Sequence, residues 1–283
     1  MKQSFQLNTS LPEQWVERYL DFLNVDREPP GLVALRRLTR AHVRRVPFEN
    51  SASLIRRASN LGRPVPPLDP NVILTSWIGG ESGGVCFDLS SQFQRLLRTI
   101  GYDATPILAR ISFPGSHHAI VVRFDSDRYL LDIGCGSPLF EPIPLDRTTE
   151  WSYAGLSFRF RADDETRDCW RQDRWIGEKW EPFCQYELNP ALEQRRYDAY
   201  QQHHEPGVSW VTGNLMMIRS DDENLFQLRD NQLTHYTESG KSTTQITSPS
   251  EIARIVNDVF GLPNYPLDEV LRSRDLINQP ASS

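Results

Sequence analysis

The segment Gly83-Gly84-Val85-Cys86-Phe87-Asp88-Leu89 constrains this chain more than any other. Two glycines precede a cysteine, and behind it the apolar pattern takes a helical period. Leu89, Phe93, Leu96, Leu97 and Ile100 recur three and four apart, so they share one helix face. Gly101 is placed to end that helix. Cys86 is therefore expected in the first helical turn or just before it. There the orphan backbone N–H groups and the positive end of the helix dipole stabilise a negative sulfur. A thiolate is the reactive form of cysteine. The paired glycines let backbone pass where a side chain would clash. They are no dinucleotide fingerprint, because no strand precedes them and GxGxxG is absent.

With 283 residues and 39% hydrophobic content, the chain can bury a sizeable core in one large domain or two to three smaller ones. The net charge of −6 supplies no overall basic field for nucleic acid or an anionic membrane. No run of eighteen apolar residues occurs, and the N-terminus has no apolar targeting core. Cys86, Cys135, Cys169 and Cys184 show no CxxC spacing, which fits free thiols in a reducing compartment. These features predict a cytoplasmic protein with neither nucleic acid nor membrane as partner.

Taken in order, the chain predicts a helix over residues 11–23, capped by Ser10, and a second from about Leu32 to Arg45 that Pro47 ends. His42 reads as a satisfied, partly buried residue. Glu49, in Val46-Pro47-Phe48-Glu49-Asn50, reads as a buried carboxylate tying backbone groups together. Residues 58–70 read as a loop, and 71–78 as a short helix with Val72, Leu74 and Trp77 inward. After Gly101 the period changes to two. Strands are expected at 105–113, 119–124 and 129–133, joined by short turns, which implies an antiparallel sheet or small barrel. Further strands are expected at 158–161, 168–172 and 180–188. A helix over 191–201 follows, then a loop holding His203 and His204, then strands starting near 215, 225 and 232. Ser248 with Glu251 opens a last helix, and the tail with Pro280 is expected to be loosely held. The chain thus has a helical first third, a β-rich middle and a mixed last third.

A reactive cysteine needs a base and a group that orients the base. His117 and His118 stand at the start of one strand, and Asp132 closes the strand that a short turn pairs with it. The start of the first faces the end of the second, so a histidine and Asp132 are expected neighbours across the ladder. The two histidines point to opposite faces. Direct facing of His117 and Asp132 requires a turn centred between Phe124 and Asp125, slightly ahead of the Ser126 centre that the sequence suggests. The residues alone leave the choice of histidine open. Adjacent histidines diverge from one ion, and HExxH is absent, so no metal is expected.

Four segments together resemble the arylamine N-acetyltransferase family. Val46-Pro47-Phe48-Glu49-Asn50 matches the family's VPFEN. Gly83-Gly84-Val85-Cys86-Phe87-Asp88-Leu89 resembles its active-site cysteine segment. Ser116-His117-His118-Ala119-Ile120-Val121-Val122 resembles its histidine segment, and Tyr129-Leu130-Leu131-Asp132-Ile133-Gly134-Cys135-Gly136 resembles Y-x-x-D-V-G-F-G. Order, gaps and length also fit. The resemblance implies a triad of Cys86, His117 and Asp132 arranged as in papain-like cysteine proteases. It implies an α+β fold: an N-terminal helical bundle over 1–85, a central antiparallel β-barrel over 86–190 and a C-terminal α/β lid over 191–283. It implies ping-pong transfer of an acetyl group from acetyl-CoA, through a cysteine thioester, to an arylamine, arylhydroxylamine or hydrazine. Acetyl-CoA is then a co-substrate and no cofactor is resident; the protein is expected as a monomer or weak homo-oligomer.

The chain departs from the family pattern at Ser82, where the family carries arginine, at Val85 in place of an aromatic, and at Cys135 in place of phenylalanine. Phe48, Val85 and Cys135 are the expected pocket residues. The departures bear on acyl donor and acceptor. The alternatives are an amide synthase of the same family or a thiol hydrolase with the same triad.

Overall fold

A computed structural model describes residues 11–66, 69–136 and 139–279. Its first third holds α1 (Glu13–Leu23), α2 (Leu32–Arg45), β1 (Phe48–Glu49), α3 (Ser51–Ala58), α4 (Pro70–Gly79) and α5 (Cys86–Thr99). Helix α1 buries Trp15, Val16, Tyr19, Leu20 and Leu23, and Pro12 occupies its N-cap. The proposed cap Ser10 lies outside the described residues, as do Pro280 and the final serines. Helix α4 turns Ile73, Leu74 and Trp77 inward, whereas Val72, expected inside, is 65% exposed. Asp69 caps this helix by accepting from Asn71 N and Val72 N, which sets the rotation of the helix face. The short helix α3 was not legible, because its buried positions are mostly polar: Ser51, Ser53, Leu54 and Arg57.

The middle of the chain holds β2 (Asp103–Arg110), β3 (His117–Phe124), β4 (Asp127–Leu131), β5 (Ile143–Pro144), β6 (Thr149–Tyr153), β7 (Leu156–Ala162), β8 (Cys169–Ile176) and β9 (Lys179–Glu187). They form one antiparallel sheet in the order β5-β4-β3-β2-β9-β8-β7-β6, a near-closed barrel whose end strands β5 and β6 do not pair. Alternation along β2, β3 and β9 sends Ile107, Ala109, Val121 and Tyr186 into the barrel core with Leu130 and Phe160. The opposite face of β2 and β3 packs on α5 through Leu108, Ile120 and Val122.

The last third holds α6 (Glu193–His203), β10 (Met216–Ser220), β11 (Leu225–Arg229), β12 (Gln232–Thr237), β13 (Gly240–Gln245), α7 (Pro249–Asp258) and α8 (Leu267–Ile277). His203 therefore ends a helix, where the sequence suggested a loop. Ser248 caps α7 as expected, accepting from Glu251 N, but Glu251 returns to Thr247 N. The strands form a second antiparallel sheet, β1-β10-β11-β12-β13. Its edge strand β1 comes from the first third, with Phe48 opposite Ile218 and Glu49 opposite Met217. A two-residue strand carries no alternation, so the sequence left it as an unassigned compact segment.

Candidate active site

Cys86 is the first residue of α5, as the sequence placed it. Hydrogen bonds around it fix that position. Asp88 accepts from Val85 N at 3.1 Å and so closes the first turn. Arg56 in turn donates to both Asp88 oxygens, at 2.7 and 3.0 Å. The double glycine lies beside β1: Glu49 N donates to Gly84 O at 3.0 Å, and Gly84 N donates to Pro47 O at 3.3 Å. A Cβ on Gly83 would stand 2.1 Å from Pro47 O, and one on Gly84 would stand 2.7 Å from Asp88 Cβ, so only glycine fits at either place. The two motifs, far apart in sequence, are thus two sides of one junction.

Glu49 seals that junction. It is fully buried and accepts from Ser51 N at 2.7 Å and Gly83 N at 2.8 Å. Burial pushes its carboxyl up to about 7, against the hydrogen bonds from Ser51 and Gly83 that pull it down.

His117 opens β3 and is buried. Its Nε2 faces Asp132 Oδ1 at 2.8 Å and Oδ2 at 2.9 Å. The Cys86 sulfur is near enough to the same ring to raise its pKa, and with Nε2 on Asp132 the nitrogen left to it is Nδ1. Burial alone would lower the imidazole pKa, but the charges and hydrogen bonds of Asp132 and Cys86 outweigh it and hold the group well above its usual value. The route to this contact differs from the expected ladder neighbours. The turn is Asp125-Ser126, with Phe124 opposite Asp127, and the pairing ends at Ile120 opposite Leu131. Asp132 therefore lies beyond the ladder, and the turn at 133–136 carries its carboxylate back to His117. A Cβ on Gly134 would stand 2.6 Å from Cys86 Cα, so glycine is required where that turn crosses the nucleophile.

Asp132 has two further donors. Gly134 N donates to Oδ1 at 3.3 Å and the Tyr186 hydroxyl donates to Oδ2 at 2.6 Å. Tyr186 and its neighbour Gln172, 3.0 Å away, did not figure in the sequence reading. The available signal was the alternation of Cys184 and Tyr186 along β9, continued by Leu188 just past its end, which marks an inward phenol.

The cavity beside Cys86 and His117 encloses about 390 Å³. Of the expected pocket residues, Phe48 and Cys135 line it. Val85 does not: its side chain is fully buried in the helical core, because the residue before α5 turns inward. Arg174, Phe158 and Phe183 from the barrel, and Met216, Gln227 and Arg229 from the second sheet, complete the walls. Among the described residues, His117, Asp132 and Cys135 are the one group of three whose ligand atoms could hold a metal, all within 4.8 Å. Nε2 and the carboxylate already satisfy each other, which is what an oriented base requires rather than an ion.

A model of the N-acetyltransferase family matches residues 31–265. The arylamine N-acetyltransferase of Mycolicibacterium smegmatis is 24% identical over 259 residues, covering 86% of this chain and 90% of that protein. The proansamycin X synthase of Amycolatopsis mediterranei is 30% identical over 160 residues, covering 53% of this chain and 59% of that one. The solved arylamine N-acetyltransferase of Mycobacterium abscessus superposes with a TM-score of 0.82 at 20% identity, over 99% of both chains. With the family match spanning most of its length, this chain belongs to the N-acetyltransferase family.

Proposed function

We propose that this protein is an arylamine N-acetyltransferase that works by a ping-pong cycle through Cys86. The observation that carries the reading is the buried Cys86–His117–Asp132 array opening on a cavity with aromatic walls. The His117 imidazolium pairs with the Cys86 thiolate, which attacks the thioester carbonyl of acetyl-CoA. Asp132 fixes the ring so that Nδ1 faces sulfur, and supports its positive charge. The Cys86 N–H, at the first position of α5 and so without an intrahelical acceptor, is our candidate donor to the developing oxyanion. CoA leaves as a thiol and takes a proton from His117. An aromatic amine is unprotonated near neutral pH, so it can attack the acetyl-cysteine while His117 accepts its proton. The mostly apolar cavity limits competition from water. Phe48 and Cys135 form part of the acceptor wall. No resident cofactor is required.

We further infer three units, at 1–85, 86–190 and 191–283. The barrel strands all fall in the second, and β1 ties the first to the sheet of the third. Among the described residues no helix is long and apolar enough to cross a membrane. Among the described residues no disulfide joins any of the four cysteines, which supports a cytoplasmic location.

A second reading is an amide synthase using the same Cys86 chemistry. Its support is the match to the synthase, 30% identical over 160 residues. The discriminating experiment is CoA release from acetyl-CoA with and without 4-methoxyaniline. Amine-dependent release with parallel double-reciprocal lines supports the acetyltransferase. Release at the same rate without amine indicates a hydrolase, and no release with acetyl-CoA indicates another acyl donor.

A further inference from the structure

Three of the four thiols gather at one place, and the acyl-transfer cycle uses one of them. Cys86 and Cys135 line the same cavity. Cys135 Sγ lies within 4.8 Å of the His117 and Asp132 ligand atoms, and Cys86 is near enough to the same imidazole to raise its pKa, so two sulfurs neighbour one ring. The backbone brings them close as well. The Cβ position of Gly134 is 2.6 Å from Cys86 Cα. Adding one C–C bond and one trans peptide step of about 3.8 Å caps the Cys86–Cys135 Cα separation at about 8 Å. A disulfide needs about 4.4–6.8 Å. Cys135 sits in the turn 133–136, which is free of the β-ladder, so any approach still needed costs no strand pairing. Cys135 Sγ donates to Gln172 Oε1 at 3.7 Å. Cys184 is buried close by, near enough that Cys135 and Cys86 both raise its pKa, after the larger effect of burial.

We propose that Cys135 is the resolving thiol for an oxidised Cys86, with a hydroperoxide as the oxidant. The Cys86 thiolate attacks the distal oxygen of the hydroperoxide. The O–O bond breaks, the sulfur becomes a sulfenic acid, and the other oxygen leaves as an alcohol or water after taking a proton. The Cys135 sulfur then attacks the sulfenyl sulfur. An S–S bond forms, the S–O bond breaks, and hydroxide leaves with the Cys135 proton as water. The peroxide is reduced by two electrons and the thiol pair is oxidised by two. The disulfide blocks acyl transfer, yet a small thiol reverses it, whereas sulfinic and sulfonic acids at Cys86 are permanent. The proposal rests on the reading of Cys86 as the reactive thiolate.

The test treats the reduced full-length protein with hydrogen peroxide and reads intact mass and a non-reducing peptide map. The expected product loses about 2 Da, joins the Cys86 and Cys135 peptides, and returns to the starting mass with dithiothreitol. Cys135→Ser should give no such link and should gain about 32–48 Da at Cys86, irreversibly and at least about tenfold faster than the parent protein. Cys135→Ala gives a second variant, and a cooperative urea-unfolding transition matching that of the parent identifies the folded ones. Cys184→Ser should link as the parent does. Equal over-oxidation of parent and Cys135→Ser, or a link joining Cys135 to Cys184 instead, overturns the proposal. Failure of acetyl-CoA to load Cys86 contradicts the transfer reading alone, because the peroxide arm needs no acyl donor.

Discussion

His117 and His118 are consecutive residues of one strand with opposite environments. On the barrel side, His117 meets a carboxylate and a sulfur, and its pKa is held well above the usual value. On the helix side, His118 stacks on Phe87 with ring centres 5.4 Å apart. Among the described residues, neither of its ring nitrogens has a hydrogen-bond partner. Burial, with the charges of Arg196 and His117 adding, holds its pKa well below the usual value. Residue type and depth are the same; the partner decides. A buried histidine beside an anion is a charged reagent, and one against an aromatic ring is a neutral packing unit.

That contrast can be broken first at His117. His117→Ala should lower kcat/KM by about 10³–10⁴-fold, because the nucleophile loses its base and counter-charge. Asp132→Asn keeps the shape but removes the charge that fixes the ring, and a loss of about 10²–10⁴-fold is expected. A steady-state assay of CoA release checks both. If His117→Ala retained full activity while His118→Ala lost it, the assignment of faces would be reversed.

A second buried acid sharpens the comparison. Glu49 has no cation among its hydrogen-bond donors, and its pKa rises to about 7 from 4.5. The folded state therefore binds more protons than the unfolded state between these values. Stability is full below about pH 4.5, falls as pH rises to about 7, and the total change is roughly 3 kcal/mol. Glu49→Gln should flatten this part of the stability profile, measured by urea unfolding at several pH values. An unchanged slope would contradict the account of this junction.

Smaller effects are expected further out. Tyr186→Phe removes a donor from the buried Asp132 carboxylate at a cost of about 1–3 kcal/mol, or roughly 5–150-fold in acylation rate if it is expressed there. His118→Phe should change activity least. It preserves the stack on Phe87 and removes two buried nitrogens without partners, so thermal stability should hold or rise by about 1 kcal/mol. A large activity loss in a well-folded His118→Phe protein would give His118 a role that its surroundings do not.

Helix α5 was legible in the sequence because its apolar period is strong and a cysteine after two glycines marks its start. The hairpin of β3 and β4 was legible from alternation and a short turn. The exact His117–Asp132 contact was not legible from ladder register. Side chains beyond the last pair are steered by a turn, and Gly134 controls that turn through its contact with Cys86. Val85 was misplaced for a similar reason: adjacency to Cys86 does not fix which way a cap residue points. Strand β1 and helix α3 were hidden because one is too short for a period and the other buries serines. Tyr186 stood in a readable strand, but only three-dimensional closure of the barrel reveals that its hydroxyl reaches Asp132.

The central claim is that Cys86 carries the acyl group, with His117 rather than His118 as its base. The most direct measurement is intact mass after brief exposure to acetyl-CoA without acceptor, for the parent protein, Cys86→Ala, His117→Ala and His118→Phe. The account predicts a gain of about 42 Da in the parent and His118→Phe, none in Cys86→Ala, and a severely slowed gain in His117→Ala; 4-methoxyaniline should then discharge it. The same adduct in Cys86→Ala, or its loss in a folded His118→Phe with normal loading of His117→Ala, would contradict it.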